Sequence, residues 1–312
     1  MIEIAFIFPG QGSQQVGMGL ELAQNYEKAR AVFDTADTFL RRQLSQLCFK
    51  GPEAELRQTE NTQLAILTCS VATLNALTEL GVSPKVVAGH SLGEYSALVA
   101  SGVLDFSDAV RLVSARAQFM AEAGKEQNGT MAAILGMEVE QLQSICEKVQ
   151  GVVKIANYNC PGQLVISGEI DAVNKAVALA ADKIGARRCR LLAVSGAFHS
   201  PLMESAQRKF QNVINAVPFH QPKTDIIMNV TGELATDTEL MKHLLFKQIT
   251  EPVQWEKSLR TIHNIGIKHF VEVGPGKVLS GLVKRTLPES TAFNVEDVES
   301  MSIVTEEFAN GE

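Results

Sequence analysis

The sequence predicts an α/β protein in which a large domain with a mostly parallel sheet carries a smaller inserted domain. Strands alternate with helices in the first and last parts of the chain, and such alternation is typical of a parallel sheet covered on both faces. In between, the predicted order changes to strand, helix, strand, strand, helix, strand. The length of 312 residues agrees with two domains, since roughly 150 residues is a usual domain size.

The first part of the large domain begins with an apolar strand over residues 2–8, which indicates a strand and not a signal peptide. The strand runs into a glycine-rich loop at 9–14, where glycines allow another backbone to approach closely. A second apolar, β-branched strand is predicted at 86–88. Helices are expected at about 25–46, 61–80, 94–100 and 106–123.

The inserted domain follows a polar linker at 124–129. Its strands are predicted at 130–137, 152–158, 163–168 and 186–194, and its helices at 138–149 and 171–184. This order, over about 65 residues, is the ferredoxin-like arrangement. The expected boundaries are 1–126 and 196–288 for the large domain and 127–195 for the small one.

After residue 200 the alternation of the large domain resumes, with strands at 225–230 and 269–273 and helices at 201–216, 239–248, 253–265 and 277–286. The chain carries a net charge of -7, and its last basic residue is Arg285. Seven acidic residues follow Arg285 and account for the whole net charge. We therefore expect a neutral body and an acidic, mobile tail at 289–312, or the start of a linker to a further segment.

Composition excludes several classes of function. A neutral body argues against a nucleic-acid partner, which requires a strongly basic surface. No apolar stretch approaches the ~20 residues of a membrane span. The five cysteines are scattered and show no C-x-x-C pairing, so we expect free thiols in a reducing cytoplasm, with neither a metal site nor a disulfide framework.

The pentapeptide Gly89-His-Ser-Leu-Gly93 is the strongest chemical signal. It lies between the predicted strand at 86–88 and the predicted helix at 94–100, which is the context of a nucleophile elbow. The glycines permit the sharp turn, and the helix behind Ser91 supplies backbone N–H groups and a dipole that stabilise an oxyanion. Ser91 is therefore a candidate nucleophile.

A serine hydroxyl requires a general base, and His199 is the best candidate among six histidines. It lies in a loop of small residues at the predicted domain junction, where active-site clefts tend to form. No carboxylate stands out as a third member, so a backbone or amide oxygen is expected to orient the imidazole. Arg116 lies on an apolar helix among small residues, either as a solvated arginine or as a fork for a carboxylate.

These residues occur within a combination of motifs that covers most of the chain. The motifs are Phe8-Pro-Gly-Gln-Gly-Ser-Gln14, Gly89-His-Ser-Leu-Gly-Glu94, Arg116-x-x-Phe-Met120, Asn159-x-Pro-Gly-Gln163, Ala197-Phe-His-Ser-Pro201, Gln248 before Thr250-x-Pro-Val-Gln-Trp255, and Glu272-Val-Gly-Pro-Gly276. In this combination the chain, from about residue 4 to 285, resembles the malonyl-CoA:acyl carrier protein transacylases of fatty acid and polyketide synthesis. The resemblance implies an α/β-hydrolase-like large domain with a ferredoxin-like small domain.

The resemblance also implies roles for individual residues. Ser91 matches the nucleophile that becomes malonylated, and His199 matches its base. Gln248 matches the residue whose main-chain carbonyl holds the histidine. The N–H groups of Gln11 and Leu92 match the oxyanion hole.

Two further positions bear on the choice of acyl group. Arg116 matches the arginine that pairs with the free carboxylate of malonate. Phe198 stands where relatives that prefer methylmalonyl carry a small residue, so bulk at this position predicts a preference for malonyl-CoA. The implied reaction is a ping-pong transfer of malonate from malonyl-CoA to the phosphopantetheine thiol of an acyl carrier protein.

The resemblance implies a cytoplasmic enzyme that uses malonyl-CoA as a substrate and holds no tightly bound cofactor, and we expect a monomer. An acidic carrier protein requires a local basic surface for docking. The candidates are Lys183, Arg187, Arg188 and Arg190 on the small domain and Lys277, Lys284 and Arg285 on the large one. A thioesterase on the same scaffold and an inactive docking module are the alternative interpretations. The choice between fatty acid and polyketide synthesis stays open.

Overall fold

The computed structural model describes residues 2–309. The strands are β1 (Ile4–Phe8), β2 (Val86–Gly89), β3 (Gly129–Leu135), β4 (Val153–Cys160), β5 (Gln163–Glu169), β6 (Cys189–Leu191), β7 (Asp225–Met228), β8 (Glu233–Ala235), β9 (His269–Val273) and β10 (Thr291–Val295). The helices are α1 (Leu20–Asn25), α2 (Glu27–Leu40), α3 (Leu44–Lys50), α4 (Glu53–Leu56), α5 (Thr59–Glu79), α6 (Gly93–Ala100), α7 (Phe106–Glu126), α8 (Val139–Lys148), α9 (Ile170–Ile184), α10 (Glu204–Asn215), α11 (Thr238–Lys247), α12 (Trp255–Asn264), α13 (Val278–Thr286) and α14 (Val298–Phe308).

The larger sheet has the strand order β10-β9-β1-β2-β7-β8 and is parallel except for the short strand β8. Successive residues of β1 point to opposite faces of the sheet. Ala5 and Ile7 pack in the apolar cluster that includes Trp255 of α12, whereas Phe6 and Phe8 pack in the larger cluster with helices α2, α5 and α7. Both faces are therefore covered, as the alternation of strands and helices predicts.

The second sheet is antiparallel, with the order β4-β5-β3-β6. Together with α8 and α9 it encloses a separate apolar cluster. All of its strands lie inside the interval 127–195. The fold class predicted from the sequence, a mostly parallel sheet plus a ferredoxin-like unit, is confirmed. The predicted strand at 186–194 is shorter than expected, because 186–188 form a 3₁₀ helix and pairing is confined to β6.

The prediction of a mobile tail is wrong for residues 291–308. Strand β10 extends the large sheet by pairing in parallel with β9, and α14 packs Met301 and Val304 into the main core. Asp297 and Ser300 form a reciprocal capping box at the start of α14, a device that stabilises a helix N-terminus. The acids lie mainly on exposed or half-exposed positions, so their number says little about order.

The helix predicted at 25–46 is also wrong as a single element. The chain forms α1, α2 and α3 in its place, and Arg41 ends α2 in the left-handed region with φ 51°. A left-handed residue stops a helix because its N–H turns back to close the last turn. Of the helices between residues 2 and 309, none combines the length and apolarity that crossing a bilayer requires.

Candidate active site

Ser91 lies in a tight turn between β2 and α6, with φ 51°. A left-handed backbone is strained for a residue with a side chain, and such strain is typical of functional turns. A Cβ on Gly89 would collide with the backbone carbonyl of Gly93, and a Cβ on Gly93 would collide with the carbonyl of Phe8. The two glycines therefore allow the elbow to fold against β1 and hold Ser91 at the carboxyl end of the sheet.

His199 is brought to Ser91 by the chain that returns from the small domain. Its Nε2 lies 2.8 Å from the Ser91 Oγ, and its Nδ1 lies 2.7 Å from the main-chain oxygen of Gln248. A carbonyl oxygen only accepts hydrogen bonds, so Nδ1 carries the proton and Nε2 is free to accept one from the serine. His199 is buried, and it too has a left-handed backbone, with φ 57°.

The electrostatics of His199 favour the neutral imidazole. Burial and the nearby charge of Arg116 lower its pKa to about 3, against the opposing hydrogen bond to Gln248. Desolvation penalises the charged form, and a neighbouring cation penalises it further. At neutral pH, His199 is therefore a proton acceptor for Ser91.

Arg116 of α7 is buried beside the serine and the histidine. Its guanidinium donates to Ser91 Oγ at 3.1 Å, to Gln248 Oε1 at 2.9 Å and to Gln63 Oε1 at 2.5 Å. The Tyr95 ring lies 5.6 Å from its central carbon. Within residues 2–309, Arg116 makes no ion pair and its Nε has no hydrogen-bond partner. A buried cation surrounded by neutral acceptors is a suitable receptor for a carboxylate.

The Gln248 side chain connects the groups of the site. Besides accepting from Arg116, its Nε2 donates to the Ser91 carbonyl at 2.8 Å and to Glu94 Oε2 at 2.5 Å. Asn229, which directly follows β7, holds the elbow in place: its side chain accepts from the Ser91 N–H at 2.7 Å and donates to the Gly89 carbonyl at 2.6 Å.

Three of these residues were not predicted from the sequence: Gln63, Glu94 and Asn229. Glu94 belongs to the quoted elbow motif, but nothing in the motif indicates its contacts. Asn229 is a single polar residue after the apolar run 226–228, which was the available signal, whereas Gln63 follows the polar residues 59–62 and no pattern in the sequence distinguishes it.

A cavity of about 320 Å³ opens onto this cluster between the two sheets. Six of the seven predicted site residues line it: Gln11, Ser91, Leu92, Arg116, Phe198 and His199. Gln248 does not line the cavity and lies behind His199. Small-domain side chains complete the wall, and one of them, Asn159, binds His90 Nε2 through Oδ1 at 2.9 Å.

Gln11 and Leu92, each carrying a main-chain N–H group, line this cavity from two loops. Neither of these N–H groups donates to an acceptor within residues 2–309. Two unengaged N–H groups on a cavity that also contains the serine are suited to hold a developing oxyanion. The part of the chain that the structure describes holds no cluster of three or more side chains suited to bind a metal ion.

The comparisons with known proteins agree with this site. Residues 5–307 match the family model described as the acyl transferase domain. The malonyl CoA-acyl carrier protein transacylase of Bacillus subtilis is 45% identical over 306 residues, which cover 97% of this chain and 96% of the relative. The family match reaches residue 307, so most of the acidic segment after Arg285 belongs to the matched domain.

Solved structures give the same result. An acyl carrier protein S-malonyltransferase from Vibrio cholerae superposes with a TM-score of 0.93 at 40% identity, covering 97% of this chain and 99% of that one. A malonyl-transacylase solved in complex with a type II PKS acyl-carrier protein superposes with a TM-score of 0.94 at 40% identity, covering 98% and 99%. The chain therefore belongs to the acyl transferase domain family and, within it, to the malonyl CoA-acyl carrier protein transacylases.

Proposed function

We propose that this acyltransferase moves a malonyl group from malonyl-CoA to the phosphopantetheine thiol of an acyl carrier protein, through an ester on Ser91. One observation carries the proposal: Ser91 Oγ contacts both the neutral His199, at 2.8 Å, and the buried cation Arg116, at 3.1 Å. A nucleophile with a base on one side and a carboxylate receptor on the other suits an acyl group that ends in a carboxylate. The relatives' names support the same substrate pair.

In the first half-reaction, Ser91 Oγ attacks the thioester carbonyl while His199 Nε2 takes the hydroxyl proton. The Gln248 carbonyl holds Nδ1–H and stabilises the imidazolium that forms. The tetrahedral intermediate collapses, the C–S bond breaks, and His199 returns the proton to the departing CoA thiolate. The products are free CoA and malonyl-Ser91.

The amides of Gln11 and Leu92 stabilise the oxyanion of the tetrahedral intermediate. Removing one such donor typically costs about 100- to 1000-fold in rate. The second half-reaction runs the same steps in reverse, with the carrier thiol as nucleophile and His199 as its base. Resident cofactors have no part in this mechanism, and malonyl-CoA enters as a substrate.

Arg116 selects the acyl group by pairing with the free malonyl carboxylate. Its guanidinium is held beside Ser91 by Gln63 and Gln248, so it is already placed to donate hydrogen bonds to a carboxylate on the acyl group. An acetyl group has no free carboxylate, so with acetyl-CoA the buried charge of Arg116 has no anionic partner.

A hydrolase on the same scaffold is the alternative, because water in place of the carrier thiol would release malonate. The names of the relatives, a transacylase and an S-malonyltransferase, favour transfer over hydrolysis. The free thiols of all five cysteines support the cytoplasmic location that we propose. The monomeric state remains a prediction.

Incubation with radiolabelled malonyl-CoA, with and without holo acyl carrier protein, tests the proposal. Transfer predicts label on Ser91 that moves to the added carrier. Free malonate as the main product would support the hydrolase, and an unlabelled protein would support an inactive docking module. Carrier proteins of fatty acid and polyketide synthesis, compared in parallel, would identify the pathway.

A further inference from the structure

Glu94 is a fully buried carboxylate that does not line the cavity and takes no part in the steps described above. Its two oxygens each accept one hydrogen bond. Oε1 accepts from the main-chain N–H of Asn229 at 2.6 Å, and Oε2 accepts from the side-chain amide of Gln248 at 2.5 Å. Asn229 and Gln248 both form hydrogen bonds with the main chain of Ser91, and the Glu94 carboxylate binds these two residues rather than Ser91 itself.

We propose that Glu94 is a positioning residue, whose carboxylate fixes the Gln248 amide with its oxygen toward Arg116 and its nitrogen toward the Ser91 carbonyl. The inference rests on the proposed function of the site, because it assigns to Glu94 the orientation of the group that selects malonate. Glu94 acts through Gln248 and does not touch the substrate.

The orientation of the Gln248 amide follows from the groups around it. Arg116 has only donors, and the Ser91 carbonyl and the Glu94 carboxylate have only acceptors. One orientation satisfies all three: the amide oxygen faces Arg116 and the amide nitrogen lies between the two acceptors. The reversed amide would place a donor against the guanidinium and an acceptor against two oxygens.

A glutamine at position 94 would break this pattern without changing its shape. The new side chain must present its oxygen to the Asn229 N–H, so its NH₂ group faces the NH₂ group of Gln248. Rotation of the Gln248 amide removes that conflict but turns its nitrogen toward Arg116. In either case a buried donor is left unpaired, and leaving such a group unpaired is more costly than losing one hydrogen bond.

The charge of Glu94 also depends on pH near neutrality. Burial raises its pKa to about 7, against the hydrogen bonds from Asn229 and Gln248 and the charge of Arg116. The charged or titratable groups that influence it are Arg116 from α7 and Tyr95 beside it on α6. His199 has its pKa lowered to about 3, so it stays a neutral base throughout this range. A loss of activity below about pH 7 that disappears when Glu94 is replaced would therefore report Glu94.

Glu272 provides a matched control. It is also fully buried, accepts the N–H groups of Leu279 and Ser280 at 3.1 and 2.7 Å, and has its pKa raised to about 7 by burial. The experiment compares the wild type, Glu94→Gln and Glu272→Gln. It measures the rates at which malonyl-CoA and acetyl-CoA label Ser91, from pH 5.5 to 8.5, with the folded fraction determined by circular dichroism.

Glu94→Gln is expected to lower malonyl labelling by about 100-fold, as expected for a misplaced binding group, and acetyl labelling by less than about tenfold. It is also expected to abolish the decrease in rate below pH 7. Glu272→Gln should retain both the wild-type ratio of malonyl to acetyl labelling rates and the decrease in rate below pH 7. The proposal would be overturned if Glu94→Gln folds and has the same malonyl-to-acetyl ratio, and the same decrease in rate below pH 7, as the wild type.

The double variant Glu94→Gln/Gln248→Ala, compared with Gln248→Ala, supplies an independent test. If Glu94 acts through the Gln248 amide, Glu94→Gln should change malonyl labelling by less than about threefold once that amide is absent, because the two substitutions are then coupled and not additive. A further loss of about 100-fold in the Gln248→Ala background would overturn the proposal, and this comparison decides alone if Glu94→Gln does not fold. Labelling of the carrier by the wild type is measured in the same series, and its absence would contradict the proposed function. If the wild type labels the carrier but Glu94→Gln has the same malonyl-to-acetyl ratio and pH dependence as the wild type, only the role of Glu94 is contradicted.

Discussion

Ser91 Oγ and His199 Nε2 lie 2.8 Å apart, and both residues have left-handed backbones, with φ values of 51° and 57°. They come from different parts of the fold, an elbow after β2 and the chain returning from the small domain. The third position, which a carboxylate occupies in the Ser-His-Asp triad, is taken by the Gln248 carbonyl. Ser91 and His199 therefore form a pair in which a main-chain oxygen orients the histidine.

His199→Ala should lower the rate of Ser91 malonylation by about 100- to 10,000-fold, the usual contribution of a general base. Malonyl-CoA binding should change little, because the base acts on the hydroxyl proton and not on the CoA. Rapid-quench labelling at saturating malonyl-CoA measures this rate. A variant within threefold of the wild-type rate would exclude His199 as the base.

Arg116→Ala should lower kcat/KM for malonyl-CoA by about 30- to 4000-fold, because truncating one partner of a buried charge pair typically costs about 2–5 kcal/mol. Acetyl transfer should survive or improve, since an acetyl group lacks the carboxylate that Arg116 binds. Parallel assays with the two CoA esters give the ratio. Equal losses on both esters would mean that Arg116 is not the carboxylate receptor.

Phe198 lines the cavity next to His199 and is buried. The wild type should prefer malonyl-CoA to methylmalonyl-CoA by about 10- to 200-fold, the range that one methyl group in an apolar pocket provides. Phe198→Ala should narrow that preference by opening space for the α-methyl group. Competition between malonyl-CoA and methylmalonyl-CoA measures this preference. A wild-type preference for methylmalonyl-CoA would refute the role of Phe198 in excluding the α-methyl group.

The stability of the fold should depend on pH through His199. Its pKa is about 3 in the folded protein and about 6.5 in the unfolded chain, so acid favours the unfolded state, which binds the extra proton. The stabilising effect is complete above about pH 6.5 and is lost as the pH falls toward 3. Comparison with His199→Gln isolates it, because the buried carboxylates are common to both proteins. The melting temperature of the wild type relative to the variant should fall between pH 7 and 5, and a constant difference would contradict the shift.

Docking of the carrier protein should depend on the basic residues near the cavity. The candidates on both domains are exposed, and Arg285 donates to Gln163 of the cavity wall at 2.8 Å. Charge reversal at Arg187, Arg188 and Arg190 together should raise the KM for the carrier by about 3- to 10-fold, since each exposed pair contributes up to about 1 kcal/mol. Labelling of Ser91 in the absence of carrier provides the control. An unchanged KM for the carrier would exclude the small-domain arginines as the docking site. The remaining candidates would be Lys277, Lys284 and Arg285 on the large domain.

The sequence predicted the parts of this protein that depend on local pattern. The glycines around Ser91 require a sharp turn whatever the tertiary context, and the alternation of strands and helices identified the parallel sheet. His199 was found because its loop of small residues lies at the domain junction. The structure brings all seven predicted site residues into or behind one cavity.

The remaining features depend on contacts between distant segments. Gln63, Glu94 and Asn229 are polar residues whose hydrogen-bond partners lie 53, 154 and 138 residues away along the chain. No local pattern indicates such a partner. The order of the tail depends in the same way on β9, because a short strand such as β10 is stable only when it is paired.

The most direct measurement of the central claim is the fate of label from radiolabelled malonyl-CoA, followed on Ser91 and then on added holo acyl carrier protein. We expect stoichiometric labelling of the protein, no labelling of Ser91→Ala, and transfer of the label to the carrier faster than its release as malonate. Label that appears as free malonate at the same rate with and without carrier would contradict transfer to the carrier.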